Sequence, residues 1–326
     1  MVISTESAID KYLENVGLSR SINTSRSYSN ALKLFKELLM SRGMNPSKIP
    51  VCDLQVDSVG WFSTYLKDYA PATESLYITA AAGFFEYLAA ENLSSPNLPR
   101  MRLLIRQRKR KTGQRLPEFP REDIEFLISF VNDNTSRSTD HEKEYLRNLR
   151  DRAFLLTLAD TGLRVHEACK LRRGDIDWNE ERALIIGKGD RQDVIRFSNR
   201  SVNAIKEYLK ARTSILDGKS GRPLSSLPLF CRHDRGAGKK IKPITTDTGR
   251  NIVKFWVSKA FGDGSEGKIT PHSFRHYFVT TVLMGSGGNL KLAQELARHK
   301  NIAVTQRYAH LSNDQLDKNY WEIFNE

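Results

Sequence analysis

The amino-acid sequence predicts a mainly α-helical protein of two domains, with a small antiparallel β-sheet in the second domain. Apolar residues recur at helical spacing through most of the 326 residues, and this length allows two domains that each bury a core. Residues 96–117 differ in composition: they carry eight basic and no acidic residues and lie among prolines. We therefore expect a helical domain over 1–95, a basic linker over 96–117 and a second domain over 118–326.

Residues 1–95 are expected to form helices only. The predicted helices begin near Ser4 and cover Thr24 to Arg42, Val56 to Tyr69 and Ala72 to Leu88. The polar stretch 19–26 has two interpretations, a capped helix start or a set of donors to a phosphate backbone, and the cap is the favoured one.

The basic linker and the net charge both point to an anionic partner. The chain has a formal net charge of +13, for which nucleic acid is the first hypothesis and acidic lipid an alternative. A basic linker suits a path along a DNA duplex because each neutralised phosphate releases condensed counterions, whereas the alternative is a solvated charge run. The candidate DNA contacts are Arg100, Arg102, Arg106, Arg108, Lys109, Arg110, Lys111 and, in the first domain, Arg26.

The second domain is expected to begin with a helix near Arg121. A helix from Tyr145 to Ala159 stops at Gly162, and a new helix starts at once, which places Arg164 in its first turn. A cation in that position opposes the helix dipole, so a bound anion explains it better than stability does.

A β-hairpin follows, with strands over Ala183 to Ile186 and Val194 to Phe197. Lys188 lies between two glycines at its tip, although a lysine in a turn is, by itself, typical of a solvated turn. Helices are predicted from Ser201 to Arg212 and from Thr246 to Phe261, with loops over 217–242 between them.

A further helix is predicted to start at Thr270, as its cap, and Pro271, as its first residue. His272 and Arg275 then lie on one helix face and can contact the same ligand. His272 and His276 are spaced as half of a zinc site, but no third ligand is evident, so no metal is expected.

The remaining composition bounds the location of the protein. Cys52, Cys169 and Cys231 are far apart and form no CxxC pair, which indicates neither a disulfide framework nor a zinc module. Neither a membrane span nor a signal peptide is evident, so a cytoplasmic, nucleoid-associated protein without membrane partners is expected.

Six positions occur in the order and spacing of the tyrosine recombinases: Arg164, Lys188, His272, Arg275, His299 and Tyr308. The sequence resembles the integrase and Xer-type branch of that family over nearly its whole length. The resemblance implies a SAM-like helical core-binding domain and a catalytic domain that together form a C-shaped clamp on DNA. The start of the chain in core-binding helices, without an arm-binding domain, favours an Xer-like or transposon-type enzyme.

The resemblance also implies a role for each position at the scissile phosphate. Arg164 and Arg275 would clamp its non-bridging oxygens, which planar guanidinium groups suit. Lys188 would be the general acid for the departing 5′ oxygen. His272 would assist proton transfer at the nucleophile, and His299 would donate a hydrogen bond to the phosphate.

Tyr308 would attack phosphorus and form a 3′-phosphotyrosyl link, which needs neither metal, ATP nor another cofactor because the link conserves the bond energy. The partners implied are double-stranded DNA with a specific recombination site and further copies of the chain, as a homo-tetramer on two sites and a monomer or weak dimer off DNA. The tail around 314–324 would dock on a neighbouring subunit or, alternatively, on its own domain.

Integration or excision of a mobile element and resolution of chromosome dimers both fit this reaction. The alternatives are a type IB topoisomerase-like enzyme that relaxes DNA and a DNA-binding regulator that does not cleave. One departure from the family pattern concerns local geometry: Ala297 and Arg298 precede His299, where the family usually has Leu-Gly.

Overall fold

The computed structural model describes residues 3–110, 121–135, 142–187, 192–215, 221–234 and 241–306. The chain divides into two compact units, Met1–Arg115 and Leu116–Glu326. Within the described residues, no helix combines the length and the apolar character needed to cross a bilayer.

The described part of the first unit is built from helices and holds an aromatic core. Its helices are α1 Thr5–Ser19, α2 Ile22–Ser41, α3 Asp57–Tyr65, α4 Pro71–Ala90 and α5 Leu98–Arg108. Phe35 of α2 and Phe62 of α3 are fully buried and meet edge to face, with ring centroids 5.2 Å apart.

Helix α2 starts with a side-chain cap. Ser21 Oγ accepts a hydrogen bond from the backbone N–H of Thr24 at 3.3 Å, which confirms the capped start within 19–26. Arg26 lies exposed on the first turns of this helix.

The first half of the predicted linker is a helix of the first unit. Leu98, Met101 and Ile105 of α5 pack against its core, and Met101 is fully buried. These residues are spaced as one helix face. A helix therefore lies within the predicted linker 96–117. The sequence analysis did not predict it because the density of basic residues masks this apolar stripe.

Glu74 secures the end of α5. Its buried carboxylate accepts hydrogen bonds from Lys67 Nζ at 3.0 Å, from the backbone N–H of Arg110 at 3.1 Å and from Arg110 Nε. Burial alone would raise the pKa of Glu74, but these donors and the charge of Lys67 lower it to about 2. Arg110 is thus engaged with a carboxylate of its own unit.

The second unit contains helices around a three-stranded antiparallel sheet. Its described elements are α6 Arg121–Thr135, α7 Glu142–Thr161, α8 Val165–Lys170, β1 Ile176–Asp177, β2 Arg182–Ile186, β3 Gln192–Arg196, α9 Asn199–Ile215, α10 Thr246–Phe261, α11 Pro271–Gly285, α12 Leu290–Ala297 and α13 Ile302–Gln306. Helix α10 has the predicted bounds, and α11 begins at the predicted proline.

The predicted hairpin is present, and β1 adds a strand that the sequence analysis missed. Leu184 pairs with Val194 and Ile185 with Asp193 in β2 and β3, while Ile176 of β1 pairs with Ala183. A strand of two residues is too short for a period of two to be visible in the sequence. The hairpin tip, with Lys188, lies outside the described residues.

The core of the second unit contains buried polar groups that hold its loop segment. Asp151 accepts a hydrogen bond from Trp256 Nε1 at 3.1 Å and pairs with Arg150, which donates to the carbonyl of Cys231 at 3.1 Å. Buried polar groups require partners, and this bond holds the predicted loop over 217–242 to the core at Cys231.

His233 belongs to the same loop segment and is buried. Its Nε2 lies 2.8 Å from Tyr208 Oη, which also accepts a hydrogen bond from the backbone N–H of Cys231 at 3.2 Å. Burial, with the positive charges of Arg150 and Arg212, lowers the pKa of His233 to about 3, so the ring is neutral near pH 7.

Candidate active site

The junction between α7 and α8 is shaped by Gly162. Helix α7 ends at Thr161, and Gly162 continues in the left-handed region with φ +59°. A Cβ atom there would lie 2.9 Å from Cγ of Phe278 and closer still to its Cδ1. Glycine therefore satisfies both the backbone conformation and the close approach of the ring.

Arg164 is the N-cap residue of α8 and not a first-turn residue as predicted. Its backbone is extended, and Glu167 accepts from its backbone N–H at 2.9 Å and from its Nη1 at 3.0 Å. The Arg164 side chain is 47% exposed, whereas that of Glu167 is 5% exposed. A buried carboxylate thus orients a guanidinium group whose other side faces solvent.

Glu167 is the carboxylate on which this corner of the site depends. Burial opposes its ionisation, but the hydrogen bond from the backbone of Arg164 and the charges of Arg298 and Arg164 keep its pKa below the ordinary value. Glu167 is therefore ionised near neutral pH.

Arg275 connects three segments of the second unit. Thr270 caps α11, its side chain accepting from the backbone N–H of Ser273, which places Arg275 in the second turn. The Arg275 side chain is buried and donates Nη1 to the carbonyl of Gly162 and Nη2 to the carbonyl of Ala297. The first carbonyl belongs to the α7–α8 junction and the second to the last residue of α12.

His272 and His276 lie one turn apart on α11, with ring centroids 4.4 Å apart. Burial and the charges of Arg275 and Arg164 lower the pKa of His272. Burial, with the charges of His272 and Arg275, lowers the pKa of His276 to about 4. Both rings are therefore neutral near pH 7.

Helix α12 ends in a left-handed residue, as many helices do. Here that residue is Arg298, with φ 58° and ψ 42°, and its backbone N–H donates to the carbonyls of Gln294 and Glu295. Glycine is the usual residue in this conformation because it has no Cβ. The turn leads directly into His299.

His299 is fixed by both its backbone and its ring. Its backbone N–H donates to Gln294 at 3.0 Å, and its Nδ1 lies 2.9 Å from Thr305 Oγ1 of α13. Burial, with the charges of Arg275 and Arg164, lowers the pKa of His299 to about 4. When the Thr305 hydroxyl donates to Nδ1, the ring carries its proton on Nε2 and can donate there to an anion.

The Arg298 side chain turns back toward Glu167. It is 6% exposed, and its Nη2 lies 3.3 Å from Glu167 Oε2 and 3.4 Å from the carbonyl of Gly162. Arg164, Arg275 and Arg298 are therefore joined through one carboxylate and one carbonyl. The cluster carries an excess of positive charge, which suits a phosphate group.

The structure brings four of the six predicted catalytic positions into the described second unit: Arg164, His272, Arg275 and His299. Lys188 and Tyr308 lie outside the described residues, which end in that region at Gln306.

The candidate DNA contacts of the first unit differ in their surroundings. Arg100 pairs with Asp57 at 2.8 Å and Arg102 with Glu86 at 3.1 Å. Arg106 and Arg108 are exposed, Lys109 is partly exposed, Arg110 is held by Glu74, and Lys111 lies outside the described residues.

Two further residues of the site had no role in the sequence analysis. Glu167 follows Arg164 by three residues at a helix start, and a glutamate at that spacing is the signal of a residue that reaches back to the helix cap. Thr305 gives no such signal, because its contact with His299 depends on the turn between α12 and α13.

Known proteins resemble this chain in sequence. Residues 127–315 match the Phage integrase family. A tyrosine recombinase XerC of Treponema denticola is 28% identical over 299 residues, which cover 90% of each chain. A tyrosine recombinase XerC of Bacillus subtilis (strain 168) is 29% identical over 294 residues, covering 90% of this chain and 87% of that protein.

Solved structures share the fold. The Tn1549 transposon integrase in complex with a circular intermediate DNA is similar with a TM-score of 0.68 and 17% identity, covering 98% of this chain and 99% of that one. The XerH site-specific recombinase bound to a palindromic difH substrate has a TM-score of 0.66 and 17% identity, covering 98% and 84%. Since the family match spans more than half of the sequence, the chain belongs to the phage integrase family of tyrosine recombinases.

Proposed function

We propose that this chain is a site-specific DNA recombinase that cuts and rejoins strands through a phosphotyrosyl link at Tyr308. The observation that carries the proposal is the way Arg275 joins the segments of two other predicted catalytic residues. Its guanidinium group donates to the carbonyl of Gly162, two residues before Arg164, and to that of Ala297, two residues before His299. The chain belongs to a family of tyrosine recombinases, and relatives named tyrosine recombinase XerC match it over most of their length.

The charge of the cluster supports phosphoryl transfer. Two guanidinium groups can hold the non-bridging oxygens: that of Arg164, which is partly exposed, and that of Arg275, which is buried. A phenol with an ordinary pKa of about 10 is a weak nucleophile, and positive charge stabilises both the phenolate and the phosphorane that it forms. Lys188 is proposed as the acid for the leaving 5′ oxygen, and His272 as the group that assists the proton of Tyr308.

Double-stranded DNA with a defined core sequence is the proposed substrate, and four copies of the chain on two such sites are the proposed assembly. The basic residues at the end of α5 and beyond, together with Arg26, are proposed contacts to the phosphate backbone. The reaction serves either the exchange of a mobile element or the resolution of chromosome dimers.

Covalent capture tests the proposal directly. The purified chain is incubated with a pool of nicked duplexes prepared from genomic DNA of the source organism, in which release of a short fragment makes cleavage irreversible. Adducts that survive denaturation in detergent are isolated, and the attached DNA is sequenced. We expect an enriched core sequence and a peptide that carries DNA on Tyr308.

Tyr308→Phe should abolish the adduct, and Tyr320→Phe, which alters a tyrosine of the same terminal segment, should leave it intact. An undiminished adduct with Tyr308→Phe would contradict the assignment of the nucleophile. Binding of a specific sequence without any adduct would indicate the non-cleaving regulator. Relaxation of supercoiled DNA by monomers without sequence preference would indicate the topoisomerase.

A further inference from the structure

Arg298 occupies a position that is unfavourable for an arginine in two respects. Its backbone lies in the left-handed region, with φ 58°, where a Cβ costs free energy. Its side chain is 6% exposed, and within the described residues its Nε and Nη1 have no hydrogen-bond partner. Buried N–H groups without partners lower stability. Neither the backbone conformation of Arg298 nor its buried N–H groups stabilise the fold.

The contacts of Arg298 lead to the catalytic cluster. Its Nη2 lies 3.3 Å from Glu167 Oε2, the same oxygen that accepts from the backbone N–H of Arg164 at 2.9 Å. The other oxygen of Glu167 accepts from Arg164 Nη1 at 3.0 Å. Arg298 also lies 3.4 Å from the Gly162 carbonyl, to which Arg275 donates. One side chain thus touches the supports of both proposed phosphate clamps.

We infer that Arg298 is a positioning residue of the recombination reaction: it holds Glu167 against Arg164 and ties the turn that carries His299 to the α7–α8 junction. The inference rests on the proposed function. A carboxylate shared between two arginines has a defined orientation, because each oxygen is bound from a different side. Without Arg298, Glu167 can rotate with Arg164, and the Arg164 guanidinium loses its direction.

Exposure separates this role from direct contact with DNA. The Arg164 side chain is 47% exposed and that of Arg298 6%. Both arginines bind Glu167, so the buried Arg298 can act on the exposed Arg164 through that carboxylate. Arg298 should therefore affect the rate of strand cleavage much more than the affinity for the site.

The test measures single-turnover cleavage and DNA affinity on a duplex recovered by covalent capture, for Arg298→Met, Arg298→Lys, Glu167→Gln and the double variant Arg298→Met with Glu167→Gln. Methionine retains most of the apolar volume without the charge, and lysine retains the charge without the planar fork. We expect Arg298→Met to cleave about 10- to 100-fold more slowly, as displaced catalytic groups do, with affinity within about twofold. Lysine should recover part of this loss.

The double variant shows through which residue Arg298 acts. If it acts through Glu167, the methionine substitution should have little further effect once Glu167 is glutamine, so the two losses are far from additive. Additive losses, equal rates for the methionine variant and the native chain, or equal rates for methionine and lysine would each overturn the inference. If methionine prevents folding, the comparison of lysine with the native chain in rate and affinity decides. The native chain's own adduct, lost in Tyr308→Phe, reports separately on the proposed function.

Discussion

Replacing Gly162 with alanine tests the geometry on which the site depends. The left-handed backbone at φ +59° costs an L-residue about 1–2 kcal/mol. The new Cβ would lie 2.9 Å from Phe278 Cγ, and forcing extra volume into a packed region costs about 1–3 kcal/mol. The free energy of unfolding of the second unit should therefore fall by about 2–5 kcal/mol.

The same substitution should impair the chemistry. The Gly162 carbonyl accepts from Arg275 and lies within hydrogen-bond reach of Arg298, so relief of the clash by a shift of this peptide moves both guanidinium groups. A misplacement of about 1 Å can cost about 100-fold in rate, and we expect adduct formation to fall by about that factor.

Two controls separate the causes, with stability followed by urea unfolding and by hydrogen exchange of α7 and α11 peptides. Gly267→Ala adds a Cβ that meets no atom within 4 Å, and it should change stability by less than about 0.5 kcal/mol. In a Phe278→Ala background the ring is gone, so Gly162→Ala should retain only the backbone cost of about 1–2 kcal/mol. An equal cost with and without the ring, or a cost as small as that of Gly267→Ala, would refute the reasoning.

Two further predictions concern stability. Glu74→Gln should destabilise the first unit by about 1–2 kcal/mol above pH 4.5. The lowered pKa of about 2 corresponds to roughly 3 kcal/mol, which solvent screening reduces because Lys67 and Arg110 are about one-third exposed. In urea unfolding the difference from the native chain should shrink as the pH falls from 4.5 toward 2, and Glu86→Gln, at an exposed ion pair, is the control. His233→Gln should reduce the loss of unfolding free energy that accompanies acidification. Between pH 6.5 and 3 the unfolded chain binds a proton that the buried ring does not, which lowers stability by about 1.4 kcal/mol per pH unit. If the slope of unfolding free energy from pH 6 to 4 is the same in the variant and the native chain, His233 titrates normally and the prediction is wrong.

Local signals allowed much of the fold to be predicted. The Thr270 cap with Pro271 fixed the start of α11, and the apolar spacing of α10 gave both of its ends. Helix α5 was missed because its basic residues dominate the composition, although Met101 is fully buried. Strand β1 was missed because its two residues are defined by their partners in β2 and not by their own pattern.

The candidate site could be predicted as a set of residues but not as a geometry. The order of Arg164, His272, Arg275 and His299 is a property of the sequence. The position of Arg275 relative to the others depends on the carbonyls of Gly162 and Ala297, and a residue of any type has such a carbonyl. Every residue has a backbone carbonyl, so the sequence does not indicate which carbonyl will bind Arg275. Only the folded positions of the α7–α8 junction and the end of α12 show it.

The backbone carbonyls that bind Arg275 leave its positive charge in the site. Carbonyl groups orient a guanidinium through its N–H groups without cancelling its charge, whereas a carboxylate does both. The effect is visible in the histidines: the charge of Arg275 contributes, after burial, to lowering the pKa of His272, His276 and His299. A field that disfavours a protonated imidazole favours an anion in the same place. Burial contributes most to the neutrality of these rings, but the positive charge that adds to it would also stabilise a phenolate and a phosphorane. Glu167 reduces that positive charge where it binds Arg164 and Arg298.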